Sequence, residues 1–527
     1  MANQDAQKGL PPVWAHTTIG EVTQSAVQQA PPNSGEFLYV DIGSIDYTTK
    51  RITSPKTLPS MEAPTRARQR LSPTDVLVSM TRPNLNAVAM LPPEMEGAIG
   101  STGFHVMRAA GIEAKWLYYL VQTQAFVDAM SKLVLGVLYP AVRPKDIRGY
   151  SIPLAPLHEQ RRIVAEIEKQ FTRLAAAVEA QKRVQANLKR YRASVLKAAC
   201  EGRLVPSQAE LVRAGGRDYE PADKLLTRIL KERRARWEAD QLAKMQAAGK
   251  PPKDDKWKAK YKEPAAPDTN NLPKLPEGWT WTTLDQLLCF LRNGISKKPD
   301  VESGLPILRI SAVRPMKVNV EDVRFLQAEA EEYQDYALRE GDLLFTRYNG
   351  NPELAGVCGV VRRVDRIIVH PDKLILGKVV SESCSARFLE IAVNIGVSRN
   401  SIASRVKTTA GQAGVSGSDL RATPVPLPPI LEQHSMVAEV ERRLSVIDEL
   451  EAVVETNLKR AERLRQAILK RAFEGKLVPQ NPSDEPASVL LERIRAERVC
   501  RSEQPLPRTG LGRKGRGREV VSPSGKL

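Results

Sequence analysis

Ile152-Pro-Leu-Ala-Pro-Leu-His-Glu-Gln160 is matched by Val425-Pro-Leu-Pro-Pro-Ile-Leu-Glu-Gln433, 273 positions downstream, and this recurrence decides how the chain is read. At the same offset and without a gap, Glu201-Gly-Arg-Leu-Val-Pro206 is matched by Glu474-Gly-Lys-Leu-Val-Pro479. Matched ends joined by equal lengths mark an internal duplication, which governs the architecture before local propensity does. Further out, Leu10-Pro-Pro-Val-Trp14 with Thr17-Thr18 is echoed by Leu275-Pro-Glu-Gly-Trp279 with Thr282-Thr283, at an offset of 265. Glu220-Pro-Ala-Asp-Lys-Leu-Leu226 recurs as Glu485-Pro-Ala-Ser-Val-Leu-Leu491 at that same offset. A proline heads each of these last runs, where its missing N–H costs a helix nothing, so a shorter helix is predicted after each long one.

Between the matched ends, residues fall at alternating spacings of three and four: Val164, Ile167, Phe171, Leu174, Val178, Gln181, Gln185, Leu188, Arg192, Val195 and Ala199. The second copy repeats the seam at Val437, Val440, Leu444, Ile447, Glu451, Val454, Leu458, Ala461, Arg465, Ile468 and Ala472. This is coiled-coil spacing. Proline-rich leads and the Gly202…Pro206 and Gly475…Pro479 stops bound each helix to about 42 residues, roughly 60 Å, or about 17 base pairs of duplex. An ordinary core or a homodimer zipper would show the same seam. The intrachain repeat favours pairing within the molecule, and an antiparallel pair would relate two globular modules by an approximate two-fold axis, as half-sites on duplex DNA require. Polar interruptions at Gln181, Gln185, Glu451 and Arg465 would set the register.

Residues 23–140 and 288–410 share only an outline. Each has a strand-like run (Phe37-Leu-Tyr-Val-Asp-Ile; Leu305-Pro-Ile-Leu-Arg-Ile) and a later aspartate-led apolar run (Asp75-Val-Leu-Val-Ser; Asp342-Leu-Leu-Phe-Thr). The predicted fold is α+β: two mixed α/β domains separated by two long antiparallel coiled-coil helices, with an internal pseudo-two-fold repeat. Matching frames around unlike contents point to two recognition modules of different specificity.

Composition agrees. At 527 residues the chain suggests three or four compact units. A charge of +18, from 79 basic and 61 acidic residues, favours an extended polyanion as partner, although the stretch from Arg508 to Lys526 supplies part of the excess. Cys200, Cys289, Cys358, Cys384 and Cys500 lie far apart, which indicates neither a disulfide framework nor a zinc ribbon and fits a reducing cytoplasm. With no apolar core behind a basic start, and no run of about 18 apolar residues, the protein is expected to be neither exported nor membrane-spanning.

The sequence lacks the common catalytic signatures. No G-x-x-x-x-G-K-[ST] phosphate loop occurs; Asn351-Pro352 is followed by Glu353, so there is no amino-methyltransferase tetrapeptide; Pro299-Asp300 and Pro371-Asp372 lack a spaced Glu-x-Lys. His16, His105, His158, His370 and His434 show no metal-ligand spacing. The chain is expected to be non-catalytic and to hold no metal or cofactor of its own.

The paired Pro-Leu-x-Pro-x-x-Glu-Gln leads, the paired Glu-Gly-[Arg/Lys]-Leu-Val-Pro ends, the Leu-Pro-x-x-Trp openings and Tyr39-Val-Asp-Ile-Gly-Ser-Ile-Asp46 together resemble the specificity subunits of Type I restriction-modification systems over residues 10 to 500. The resemblance implies two target-recognition domains, each reading half of a split double-stranded DNA target. It also implies a partner assembly of two methyltransferase subunits, joined in the restricting form by restriction-translocase subunits. Any S-adenosylmethionine, ATP or magnesium requirement would then belong to those partners. On this basis the domains are 1–151 (first recognition domain), 152–206 (central long helix), 207–274 (short helix and charged linker), 275–424 (second recognition domain), 425–479 (distal long helix) and 480–527 (short helix and basic disordered tail). The resemblance further implies methyltransferases docked around the helices, which makes Glu159, Gln160, Glu432 and Gln433 candidate contacts; helix capping would explain the same residues.

Arg reads guanine and Asn or Gln reads adenine in the major groove, while Lys positions phosphate. The basic loops offer Lys50, Arg51, Arg66, Arg68, Arg70, Arg82 and Asn84 in the first module, and Arg292, Asn293, Lys297, Lys298, Arg347 and Asn349 in the second. The stretch from Lys231 to Pro264 lengthens the link between halves beyond what the resemblance accounts for. Its alternating charge is that of a solvated helix and linker, although Trp257 and Tyr261 among lysines would also suit a phosphate backbone. Two other functions stay open on the sequence: a structural adaptor whose modules bind proteins, and an enzyme whose site has diverged beyond its motifs.

Overall fold

Heptad seam and proline leads together predict two long helices, and they form. The computed structural model describes residues 9–134, 140–216, 218–409 and 411–503, and its longest helices are Leu157–Cys200 and Ile430–Phe473, 44 residues each. The basic tail expected beyond residue 503 lies outside the described residues. The carbonyls of Pro156 and Pro429 accept the amides of Gln160 at 2.9 Å and Gln433 at 3.0 Å, so each helix starts immediately after its proline. Each ends at a left-handed glycine, Gly202 with φ 63° and Gly475 with φ 70°. The following amides reach back to close a Schellman turn, Arg203 N to Ala198 O and Lys476 N to Arg471 O, both at 2.8 Å. Every seam position predicted above is buried or half-buried, whereas apolar residues off the seam, such as Val184, Leu450 and Val453, face solvent.

The chain forms two compact units, one made of residues up to Gln181 together with those from Thr456 on, the other of Lys182–Glu455. Length alone suggested more. The long helices own no separate core, since each is divided between the units.

In the first unit, Ala15–Thr18 pairs antiparallel with Ser151–Leu154, the strand that feeds the central helix. A four-stranded sheet orders Val88–Met90, Val76–Ser79, Phe104–Ala109 and Thr23–Ser25. A five-stranded sheet orders Val27–Gln28, Ala67–Arg70, Ile99–Ser101, Glu36–Val40 and Lys56–Pro59, with one parallel pairing between Ile99–Ser101 and Glu36–Val40. Residues from both ends of the chain share one core: Trp14 and Trp116 meet edge to face at 5.6 Å, and Trp116 meets Phe473 at 4.6 Å. Arg465 of the distal helix lies 4.2 Å over the ring of Phe171 on the central helix.

The second unit repeats the frame. Thr280–Thr283 pairs antiparallel with Pro424–Leu427, and Thr282 opposite Val425 reproduces the register of Thr17 opposite Ile152. Its four-stranded sheet orders Leu288–Asn293, Leu374–Val379, Leu343–Thr346 and Cys358–Val360. The contents then depart from the first unit, with a two-stranded pair Leu305–Leu308 and Val323–Leu326 and a three-stranded sheet of Tyr348–Asn349, Gln412–Gly414 and Lys407–Thr409. Here the central helix packs Val195, Leu196 and Ala199 around Val440 of the distal helix, while Arg192 pairs with Asp448 and, at 3.1 Å, with Glu451. Numbers rise on one helix as they fall on the other, so the pair is antiparallel.

Both aspartate-led runs prove to be strands introduced by a buried carboxylate. Asp75 accepts Ser72 N at 2.8 Å and is gripped by Arg108 through two bonds of 2.8 Å; Asp342 accepts Arg339 N at 2.8 Å, with Lys378 at 3.6 Å.

Candidate nucleic-acid interface

A loop can read DNA only if the body that carries it is fixed, and the repeated motifs do that fixing. Trp14 Nε1 donates to Glu159 Oε2 at 3.0 Å in the first unit, and Trp279 Nε1 donates to Glu432 Oε1 at 2.9 Å in the second. The adjacent glutamines repeat one another as well. Gln160 Nε2 donates to Ala155 O at 2.8 Å and its Oε1 accepts Glu113 N at 3.0 Å; Gln433 Nε2 donates to Pro428 O at 2.9 Å and its Oε1 accepts Ser385 N at 2.9 Å. Burial raises both glutamate carboxyls above the usual range, against the lowering effect of their hydrogen bonds. All four side chains are 0% exposed. Candidates for partner contacts or for helix caps on the sequence, all four are buried here and bind module to helix.

Each helix end seats on the opening of its own unit. A β-carbon on Gly202 would come within 2.6 Å of Pro276 and 2.9 Å of Trp279; one on Gly475 would come within 2.4 Å of Pro11. The shorter helices dock on those openings too, Ala222 N donating to Gly278 O and Ala487 N to Val13 O, both at 2.9 Å. The end of the second sequence copy therefore closes on the start of the first.

On these mountings the candidate readers take distinct positions. Ala67–Arg70 alternates buried and exposed, which puts Arg68 and Arg70 on the outer face with Arg66 just before them, while Gln69 anchors the strand through Ser101 O at 2.7 Å. Arg82 and Asn84 project from a tight turn around buried Pro83, and Arg82 adopts the left-handed region at φ 49°. Lys50 is turned inward. Its Nζ donates to Asn86 O at 2.6 Å, tying the Lys50–Arg51 loop to the Arg82–Asn86 turn, and burial pushes its ammonium down to about 8, with repulsion from Arg465 adding to the effect. Arg51 itself is exposed.

In the second unit the turn His370–Lys373 is met by the loop that follows Arg292 and Asn293, through Ile295, and by Arg347. Ile295 N donates to His370 O and Asp372 N to Ile295 O, both at 2.9 Å, while Arg347 N donates to Lys373 O at 2.8 Å. Gly294 makes this approach feasible, because a β-carbon there would lie 2.1 Å from His370 O. Arg292 stacks 3.5 Å over the ring of Tyr336, and Arg347 sits 4.8 Å over Tyr348 while its Nη1 reaches Asp372 O at 3.4 Å. Asn349 accepts Asn351 N at 2.9 Å, and Lys297 Nζ donates to Gln327 O at 2.7 Å; Asn293 and Lys298 stand exposed. Stacking orients a guanidinium without using its in-plane donors, of which Arg347 spends one on Asp372 O, as a base-reading arginine requires. Sequence reasoning missed Tyr336 and the His370–Lys373 turn, which lie too far along the chain for any spacing rule to join them to Arg292.

No family model matches the chain. It is 28% identical over 467 residues to the specificity subunit of the Type I restriction enzyme EcoKI of Escherichia coli K12, covering 86% of each chain. It is 22% identical over 464 residues to that of StySPI from Salmonella potsdam, again covering 86% of each. Among solved structures, one described as showing the assembly and conformational transition of the type I R-M system superposes with a TM-score of 0.61 at 25% identity, covering 89% of this chain and 99% of the other. The HsdS subunit from Thermoanaerobacter tengcongensis shares the fold, with a TM-score of 0.51 at 24% identity, covering 89% and 98%. Among the described residues no helix is long and apolar enough to cross a membrane.

Proposed function

We propose, from the premise that this chain belongs to the Type I restriction enzyme specificity subunits, that it reads a split double-stranded DNA target, one half per recognition domain, and assembles the subunits that act on it. Residues 1–151 and 275–424 are the two readers. The central and distal helices carry two methyltransferase subunits and, in the restricting complex, restriction-translocase subunits. The chain is non-catalytic and works in the cytoplasm; methyl transfer and cleavage belong to its partners. The observation that carries this is the contrast between mountings and contents. The tryptophan–glutamate junctions and the strand register repeat position for position, whereas the loops around Arg68 and Arg82 have different counterparts around Arg292 and Arg347. Two fixed frames with unlike readers are what a target of two unlike halves demands.

The test is to express the chain with its methyltransferase partner and map modified adenines by single-molecule sequencing. The expected result is two short unlike elements with a constant gap. A single uninterrupted site would overturn the proposal. Arg347→Ala in the same complex should change the preferred base in one half only; if Arg347 grips phosphate instead, affinity falls evenly and the salt slope becomes shallower by about one.

A further inference from the structure

The long link between the halves is organised by its aromatic residues. Helix Ala222–Ala247 is followed by a return segment containing the short 3-10 helix Asp255–Lys260, and three rings hold the two together. Trp237 stacks on Trp257 at 6.0 Å and 28°, and meets Tyr261 at 5.3 Å. Arg233 locks the strap to the body of the second unit: it donates to Tyr261 Oη at 2.7 Å, to Leu288 O at 3.0 Å and to Asp285 at 3.4 Å. Arg236 donates to Val380 O at 3.1 Å, and the exit is pinned where Thr283 Oγ1 donates to Ala265 O at 2.9 Å. The rings are therefore engaged within the chain and do not serve as a stacking platform.

The lysines divide from the aromatics. Trp257, Lys258 and Tyr261 face the helix, whereas Lys250, Lys253, Lys256, Lys260 and Lys262 are exposed. Lys256 pairs with Asp254 at 3.5 Å, but Lys250, Lys253, Lys260 and Lys262 have no carboxylate partner among the described residues. The arginines of the preceding helix are engaged within the chain: Arg233 and Arg236 are tied to the body, and Arg234 bonds Glu238 at 3.1 Å. What remains exposed is four lysine point charges on a braced segment, without the fork geometry or amides that discriminate bases. That chemistry neutralises phosphate without reading sequence.

We infer that the strap Lys250–Lys262 is a second, sequence-neutral DNA contact, one that grips duplex phosphates outside the base-reading loops. The inference rests on the DNA-reading function proposed above. Its test is the complex of the full chain with its methyltransferase partner, carrying Lys250→Gln, Lys253→Gln, Lys260→Gln and Lys262→Gln together. Binding is titrated against salt on a duplex lacking the target, and modified adenines are mapped in parallel. The expected result is affinity for non-target duplex reduced about ten-fold or more at low salt, a log–log salt slope shallower by about two to four, and an unchanged modification motif. Unchanged affinity and slope would overturn the inference, as would a changed motif, which would make the strap a reader. Loss of methyltransferase from the variant complex would overturn it in favour of an acidic protein partner. If the unaltered complex marks no split target, the broader function fails, while the salt titration still reports on the strap.

Discussion

The indole–carboxyl contacts, Trp14 with Glu159 and Trp279 with Glu432, are small groups on which whole modules depend. Glu432 satisfies both Trp279 Nε1 and, at 3.2 Å, Gln208 N. Glu432→Ala should destabilise the second unit by about 2 to 3 kcal/mol, because it leaves buried donors without acceptors, whereas Glu432→Gln should retain most of that stability; chemical denaturation of the complex separates the two. His370 gives a pH prediction. Burial holds its imidazole down to about 4, from the ordinary 6.5 of a free imidazole, opposed by the contact with Tyr336 O and aided by Arg292. Between those values the unfolded chain binds more protons than the folded one, so stability is present above pH 6.5 and is lost toward pH 4, by roughly 3 kcal/mol. His370→Leu should flatten that dependence in unfolding measurements from pH 4 to 7. At this scale the sequence revealed residue types but few contacts. That Arg68 and Arg82 face outward follows from strand alternation and turn chemistry, but Lys50 is drawn inward by a carbonyl 36 residues away, which no local pattern contains.

Among the elements, the long helices were the most legible, because a seam sustained over eleven positions and a glycine-proline stop are both local signals. Gly202 shows why the stop is exact. Its left-handed backbone and its seat against Pro276 and Trp279 both exclude a β-carbon, so Gly202→Ala should cost about 2 to 4 kcal/mol, with Gly475→Ala close behind in the first unit. Thermal unfolding of each variant would show the loss, and a change under 1 kcal/mol would mean the Schellman closure contributes little. The aspartate-led strands were also readable. The sheets they enter were not, since pairings such as Thr23–Ser25 with Phe104–Ala109 depend on contacts about eighty residues apart along the chain.

For the whole molecule, the sequence shows two successive copies, yet the compact units are assembled otherwise. The first unit takes its core from Trp14 and Trp116 and also from Leu469, Phe473, Leu490 and Ile494, while the second lies within one continuous stretch. Ending the chain at residue 455 should therefore unfold the first unit and spare the second; hydrogen exchange would show protection lost over residues 10–150 and kept over residues 280–430. Uniform loss throughout would show that the units do not stand separately. The shared core also bears on how the protein is made. A ribosome releases the amino-terminal part of the first unit early, but the helix segment that seals it follows only after residue 455, so residues 182–455 can reach their final state while that part still waits for its seal.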